Sequence, residues 1–145
     1  MREFEPIHVE GWCGVEALQY VIEEENMWFS QPDLARILGT THENGTSHEQ
    51  MIEGARKIGL QCEGFFNIPT LILPILSETN YIIVNWMDGP NEKDDGHYSV
   101  FYSTDGRKIT LMDRTMPVQE FEKKWYDITP EGRVDHWAML VKRTI

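Results

Sequence analysis

Apolar and polar positions change their rhythm about halfway along the chain. Between residues 14 and 25, Ala17, Leu18, Val21 and Ile22 recur at helical spacing, while Glu16, Gln19, Glu23 and Glu24 mark a polar face. That pattern predicts an amphipathic helix with Cys13 at its start. Ser30-Gln31-Pro32-Asp33 resembles a capping box with Pro in the first turn, opening a short helix through Leu34, Ile37 and Leu38 that stops at Gly39. Residues 42–45 read as a turn. Ser47, with Gln50 three residues on, predicts a third helix whose apolar face carries Met51, Ile52, Ala55 and Ile58 and which Gly59 ends. Residues 60–66 suit a short strand, and residues 68–76 are apolar but hold Pro69 and Pro74, which favours a short helix or two over a central strand.

The second half is β-branched and aromatic. Tyr81-Ile82-Ile83-Val84-Asn85-Trp86 and Tyr98-Ser99-Val100-Phe101-Tyr102 predict neighbouring strands around a polar loop at 88–96. A turn at 104–107 leads into a further strand at 108–112, residues 117–125 suit a short helix begun by Pro117, and 136–141 reads as a closing strand. Helices first and an antiparallel sheet afterwards make an α+β fold: an N-terminal helical half packed on a C-terminal sheet, with a cleft between them.

Composition narrows the function. One domain spanning 1–145 is expected from 145 residues that are 41% hydrophobic. A net charge of −11 repels phosphate backbones and anionic headgroups, so nucleic acid and membrane surfaces are not expected partners. No run approaches a spanning helix, and the N-terminus lacks the apolar core of a signal peptide, which points to the cytoplasm. Cys13 and Cys62 are then expected as free thiols. No metal is expected, because there is no Cys-x-x-Cys and residues 42–46 lack the second His of a zincin helix.

The candidate chemistry lies at Cys13, His97 and Asp113. A thiol at a helix N-terminus sits where free backbone N–H groups and the helix dipole favour negative charge, which is how a nucleophile is prepared. Gly11 and Gly14 leave room for a substrate carbonyl, and the Cys13 N–H is a candidate oxyanion donor. A hairpin closed at 104–107 sets residues near 98 opposite residues near 113, making His97 and Asp113 neighbours; such a carboxylate fixes an imidazole tautomer. Each residue has a plainer reading. Most free cysteines are small buried hydrophobes, a lone His is more often a surface or core residue, and Asp113 suits a turn before Arg114. Cys62 reads as a buried thiol. Trp12 and Trp86 are cleft-lining candidates with Gly14, and Trp86 and Trp137 are candidates to cover the His97–Asp113 contact, although large aromatics are more often core. The acidic run Asp88, Glu92, Asp94 and Asp95 fits a solvated loop better than a calcium or cationic-peptide site. His48 and His136 have no evident partner.

In their order and spacing, Cys13-Gly14-x-x-Ala17-Leu18, Gly45-Thr46-Ser47 followed by Met51, Ala55 and Gly59-Leu60, Tyr81-Ile82-Ile83-Val84, Gly96-His97-Tyr98-Ser99-Val100, and Asp113 resemble the papain-like cysteine peptidases related to the bacteriocin-processing, double-glycine-leader peptidases. The resemblance spans nearly the whole chain, to Trp137. It implies a papain-like cysteine proteinase fold with Cys13 as nucleophile, His97 as general base and acid, and Asp113 as orienting carboxylate. It also implies a peptide or protein substrate and no cofactor. One position departs. The family usually carries an oxyanion-donating Gln six residues before the nucleophile, where this chain has Ile7. Loss of one such donor typically costs roughly 10² to 10³ in rate. His8 is the candidate substitute, or else a residue of an exposed N-terminal arm, with Gln61 a more distant donor. Two readings follow: a hydrolase cleaving a peptide or related amide bond through a Cys-His-Asp triad, and a catalytically impaired peptide-binding module of the same fold. An acyl transferase would use the same residues.

Overall fold

Three helices precede the first strand in the computed structural model, which describes residues 11–144. Helix α1 spans Cys13–Glu24, α2 Gln31–Leu38 and α3 His48–Lys57. Their ends follow the local chemistry. The Ser30 hydroxyl accepts from Asp33 N at 3.1 Å and Gly39 closes α2 with a φ of 73°. Ser47 and Gln50 form a reciprocal capping box, and the Gln50 side-chain amide donates to the Gly39 carbonyl, which ties the start of α3 to the end of α2. Gly59, at a φ of 98°, sits one residue past the α3 cap at Ile58.

Strand β1 is Cys62–Phe65, followed by a 3₁₀ turn at Thr70–Ile72 and helix α4 at Leu73–Ser77, the broken helix that the two prolines predict. Then come β2 (Asn80–Met87), β3 (Gly96–Thr104), β4 (Lys108–Leu111), β5 (Thr115–Pro117), α5 (Val118–Lys124), β6 (Tyr126–Thr129), β7 (Gly132–Asp135) and β8 (Ala138–Lys142). The main sheet is antiparallel in the order β1-β8-β2-β3-β4-β5, and β6 and β7 form a separate hairpin.

The helical half packs on the sheet as expected, and a second layer covers the opposite face. Tyr81, Ile83, Tyr98, Val100, Met139 and Val141 join Val15, Leu18, Val21 and Ile22 of α1 in one core. Ile82, Val84, Trp86, Phe101, Ile109 and Leu111 face the other way and pack with Leu73, Phe121 and Trp125 from α4, α5 and its C-cap. Strand β2 is buried on both faces, which is why its sequence is an unbroken apolar run. Val15, Leu18, Val21 and Ile22 each contribute on the order of 1.5–3 kcal/mol of burial, fixing the helix that carries Cys13.

Candidate active site

Gly11 brings the chain into α1 with a φ of 83°, and a Cβ there would lie 2.9 Å from the His42 carbonyl oxygen. Backbone strain and that contact both exclude a side chain. Gly11→Ala is therefore expected to cost roughly 1–3 kcal/mol, read as a lower urea midpoint. Trp12 follows as N-cap without a side-chain cap bond, leaving the first-turn N–H groups uncapped by a side chain, and Cys13 is the first helical residue. Trp12 is half-buried beside the thiol. The Cys13 Sγ accepts from Tyr98 N at 3.5 Å, so α1 touches β3 through the sulfur itself.

Gly14 is buried, and a Cβ on it would meet Met51 Sδ at 2.9 Å, Thr46 Oγ1 at 3.2 Å and the Tyr98 ring at 3.2 Å. It therefore lets α1 seat against β3 instead of lining a cleft. Tyr98 is locked in the same contact by its hydroxyl, which donates to the Thr46 carbonyl at 2.8 Å.

His97 is the second residue of β3 and pairs across the sheet with Trp86. Its Nε2 lies 2.6 Å from Asp113 Oδ2. The Cys13 sulfur is the other group that acts on the ring. Burial pulls the His97 pKa down, but the bonds to Asp113 and Cys13 and their negative charges outweigh it and push it up to about 10. Burial also raises the Asp113 carboxyl, and here hydrogen bonds from His97 and Ser99 more than offset it, holding the group below its ordinary value.

A β-bulge brings Asp113 to His97. The ladder runs Thr104↔Ile109 and Ser103↔Thr110, then Phe101↔Leu111, with an extra β3 residue between Phe101 and Ser103. Continued without the bulge, that ladder would set Asp113 across from Val100, in the layer under the helices. With it, Asp113 faces Ser99 on the side of the strand that carries His97, and the Ser99 hydroxyl donates to Asp113 Oδ1. The hairpin reading, which sets residues near 98 opposite residues near 113, agrees with this register.

Trp86 is fully buried, so it backs the site and does not line it: its ring meets the His97 ring edge-on, centroids 5.5 Å apart. The Arg114 guanidinium covers Trp86 at 5.0 Å and is held by Asp88 at 2.7 Å. Trp137 does not cover the His97–Asp113 contact; it stacks on His48, centroids 4.0 Å apart, while His48 Nε2 lies 2.9 Å from Asp127 Oδ2. His136 also gains partners, the Ile68 carbonyl at 2.7 Å and the face of Trp125. Ser99, Arg114 and the His48–Asp127 pair escaped sequence reading. Only Ser99 left a local mark, a hydroxyl inside a run of core residues.

Ile7 and His8 lie outside the described residues. Gln61 is exposed beside β1, three strands from β3, which at the usual strand spacing is about 14 Å; it is not an oxyanion donor for Cys13. Cys62 is a buried free thiol whose pKa burial pushes up, with its S–H directed at the Ile52 carbonyl. In the acidic loop, Asp88 pairs with Arg114, Glu92 accepts from the Tyr126 hydroxyl, and Asp94 and Asp95 accept from Asn91. Among the described residues no group of three or more His, Cys, Asp or Glu could hold a metal ion, and no helix is long and apolar enough to cross a membrane.

His97 holds its proton more tightly folded than unfolded. Its contribution to stability is complete below the ordinary histidine value of 6.5 and is lost as pH rises toward about 10. The urea midpoint should fall across that range, with a smaller fall in His97→Gln; equal slopes would contradict the bonding described.

A helix presenting a cysteine to an antiparallel sheet that presents a histidine defines the class: this is the papain-like fold of cysteine peptidases. The chain belongs to the peptidase C39 family, whose model matches residues 8–130. It is similar in structure to the peptidase domain of Streptococcus ComA, a bi-functional ABC transporter of a quorum-sensing pathway (TM-score 0.77, 18% identity, 96% of each chain covered). A double glycine motif protease from an AMS/PCAT transporter, solved with the leader peptide, matches with a TM-score of 0.73 and 16% identity, covering 98% of this chain and 91% of that one. The peptidase C39-like domain of a toxin secretion ATP-binding protein from Vibrio parahaemolyticus matches with a TM-score of 0.57 and 16% identity, over 95% and 100% of the chains. No curated protein sequence matches the chain.

Proposed function

We propose that this chain, as a single cytoplasmic domain over 1–145, is a cysteine peptidase that cleaves a leader-bearing peptide through Cys13, His97 and Asp113. The observation that carries the reading is one imidazole held by a carboxylate 2.6 Å away, on the strand whose next residue, Tyr98, donates its N–H at 3.5 Å to the Cys13 sulfur at a helix N-terminus. Membership of the peptidase C39 family supports it.

With a pKa near 10, His97 carries its proton at neutral pH, so the acid needed by the leaving group is loaded before attack. The Cys13 sulfur, as the thiolate paired with that protonated ring, attacks the scissile carbonyl carbon, and the Cys13 N–H faces the developing oxyanion. His97 passes its proton to the departing amine, leaving a thioester on Cys13. The now neutral ring takes a proton from water as it attacks the thioester, which frees the acid product and restores the Cys13 thiolate beside a protonated His97. Asp113 holds the ring in the required orientation throughout.

Ile7 in place of the usual Gln favours a second reading, a module of the same fold that binds peptide without cutting it. A synthetic peptide ending its leader in two glycines separates the two. Cleavage after the glycines, with an acid-trapped thioester on Cys13 seen by mass spectrometry, is the expected result. Binding that survives Cys13→Ser, with an intact peptide and no adduct, favours the second reading and ends the first.

A further inference from the structure

Ser99 stands where a strand buried on both faces would ordinarily carry an aliphatic residue. Tyr98, Val100 and Phe101 around it are core, and Ser99 itself is fully buried. A hydroxyl in such a place is costly unless bonded, and its bond goes to Asp113 Oδ1. Asp113 follows the end of β4 in a bend, and its side chain is 40% exposed. A carboxylate so placed and held only by His97 would be free to rotate about its own side-chain bonds. His97 and Ser99 are two residues apart on one strand and so share a face, and each takes one oxygen of the same carboxylate.

We infer that Ser99 is a positioning residue for the proposed peptidase chemistry, fixing Asp113 Oδ1 so that Oδ2 stays on His97 Nε2. The inference rests on the Cys13–His97–Asp113 reading and extends it inward by one residue. Ser99 is sealed from solvent and touches no substrate, so its effect passes through Asp113. The bulge between Phe101 and Ser103 makes this arrangement possible, because it brings Ser99 and not Val100 opposite the carboxylate.

The test uses Ser99→Ala and Ser99→Thr in the full chain, with circular dichroism to check folding. Carbon-13 NMR titration of the Asp113 carboxyl should move upward in Ser99→Ala, because one of the hydrogen bonds that favour the ionised form is gone, and return toward the original midpoint in Ser99→Thr. Turnover of the double-glycine leader peptide should show kcat reduced about tenfold in Ser99→Ala at unchanged KM, with recovery in Ser99→Thr. An Asp113 titration identical in Ser99→Ala and the original chain overturns the inference, whatever the turnover. If the original chain fails to cleave the peptide, the peptidase reading falls while the titration still decides the role of Ser99. If the added methyl of Thr cannot be housed, the Ala titration alone is decisive.

Discussion

Cys13→Ala is expected to abolish peptide cleavage, a loss on the order of 10⁴-fold or more, because no other group on the described surface of the site can form the thioester. The folded structure should tolerate the change. Cys13 is only half-buried, its sulfur accepts a single long bond from Tyr98 N, and the aliphatic face of α1 is untouched. Removing the thiol also removes one of the causes that raise the His97 pKa, so the ring should titrate below about 10 in the variant, as proton NMR can follow. Retained turnover in Cys13→Ala would place the chemistry elsewhere.

Trp86→Ala is expected to have the largest effect on stability. The ring is fully buried, and truncations of this kind typically cost about 3–5 kcal/mol, a large share of the roughly 5–15 kcal/mol that holds a domain folded. It would also leave His97 without its edge contact and Arg114 without the ring it covers. Trp86→Phe keeps part of that wall and should lose less. Urea unfolding followed by circular dichroism ranks the two, and an Ala variant as stable as the original would mean that the site's backing is not built on Trp86.

Local chemistry wrote the helix ends plainly, since a capping Ser, a reciprocal Gln and a stopping Gly each act within a few residues of themselves. Ser30, Ser47 and Gly39 could be read for that reason. The hairpin at 104–107 likewise pointed to His97 and Asp113 as neighbours, although the bulge in β3 is what puts both on one face. What stayed hidden depends on partners distant in the chain. Strand β8 inserts between β1 and β2, a pairing set by burial and not by any local pattern. The β6–β7 hairpin is mostly polar, with neither the apolar alternation nor the aromatic runs that mark a half-buried strand. Gly14 and Trp86 illustrate the same limit within the site. Both lie next to the chemistry, in chain position or in space, yet burial turns one into a packing contact and the other into a supporting wall. The bulge in β3 shifts the ladder by one residue, which is why Ser99 and not Val100 stands opposite Asp113.

Arg114 and Asp88 extend the same logic outward. Their ion pair at 2.7 Å is partly exposed, so on its own it contributes little to stability. Its place over Trp86 nevertheless joins the loop after β2 to the bend that carries Asp113.

The account turns on whether His97 activates Cys13, and alkylation by iodoacetamide at neutral pH tests it with Cys62 as an internal reference. Cys62 is buried and should react slowly in any case, so the deciding comparison is Cys13 in the original chain against Cys13 in His97→Ala. The expected result is fast labelling of Cys13 that slows roughly tenfold or more when the imidazole is removed. Labelling of Cys13 at the same rate with and without His97 would contradict the coupling of thiol and ring from which the proposed chemistry is built.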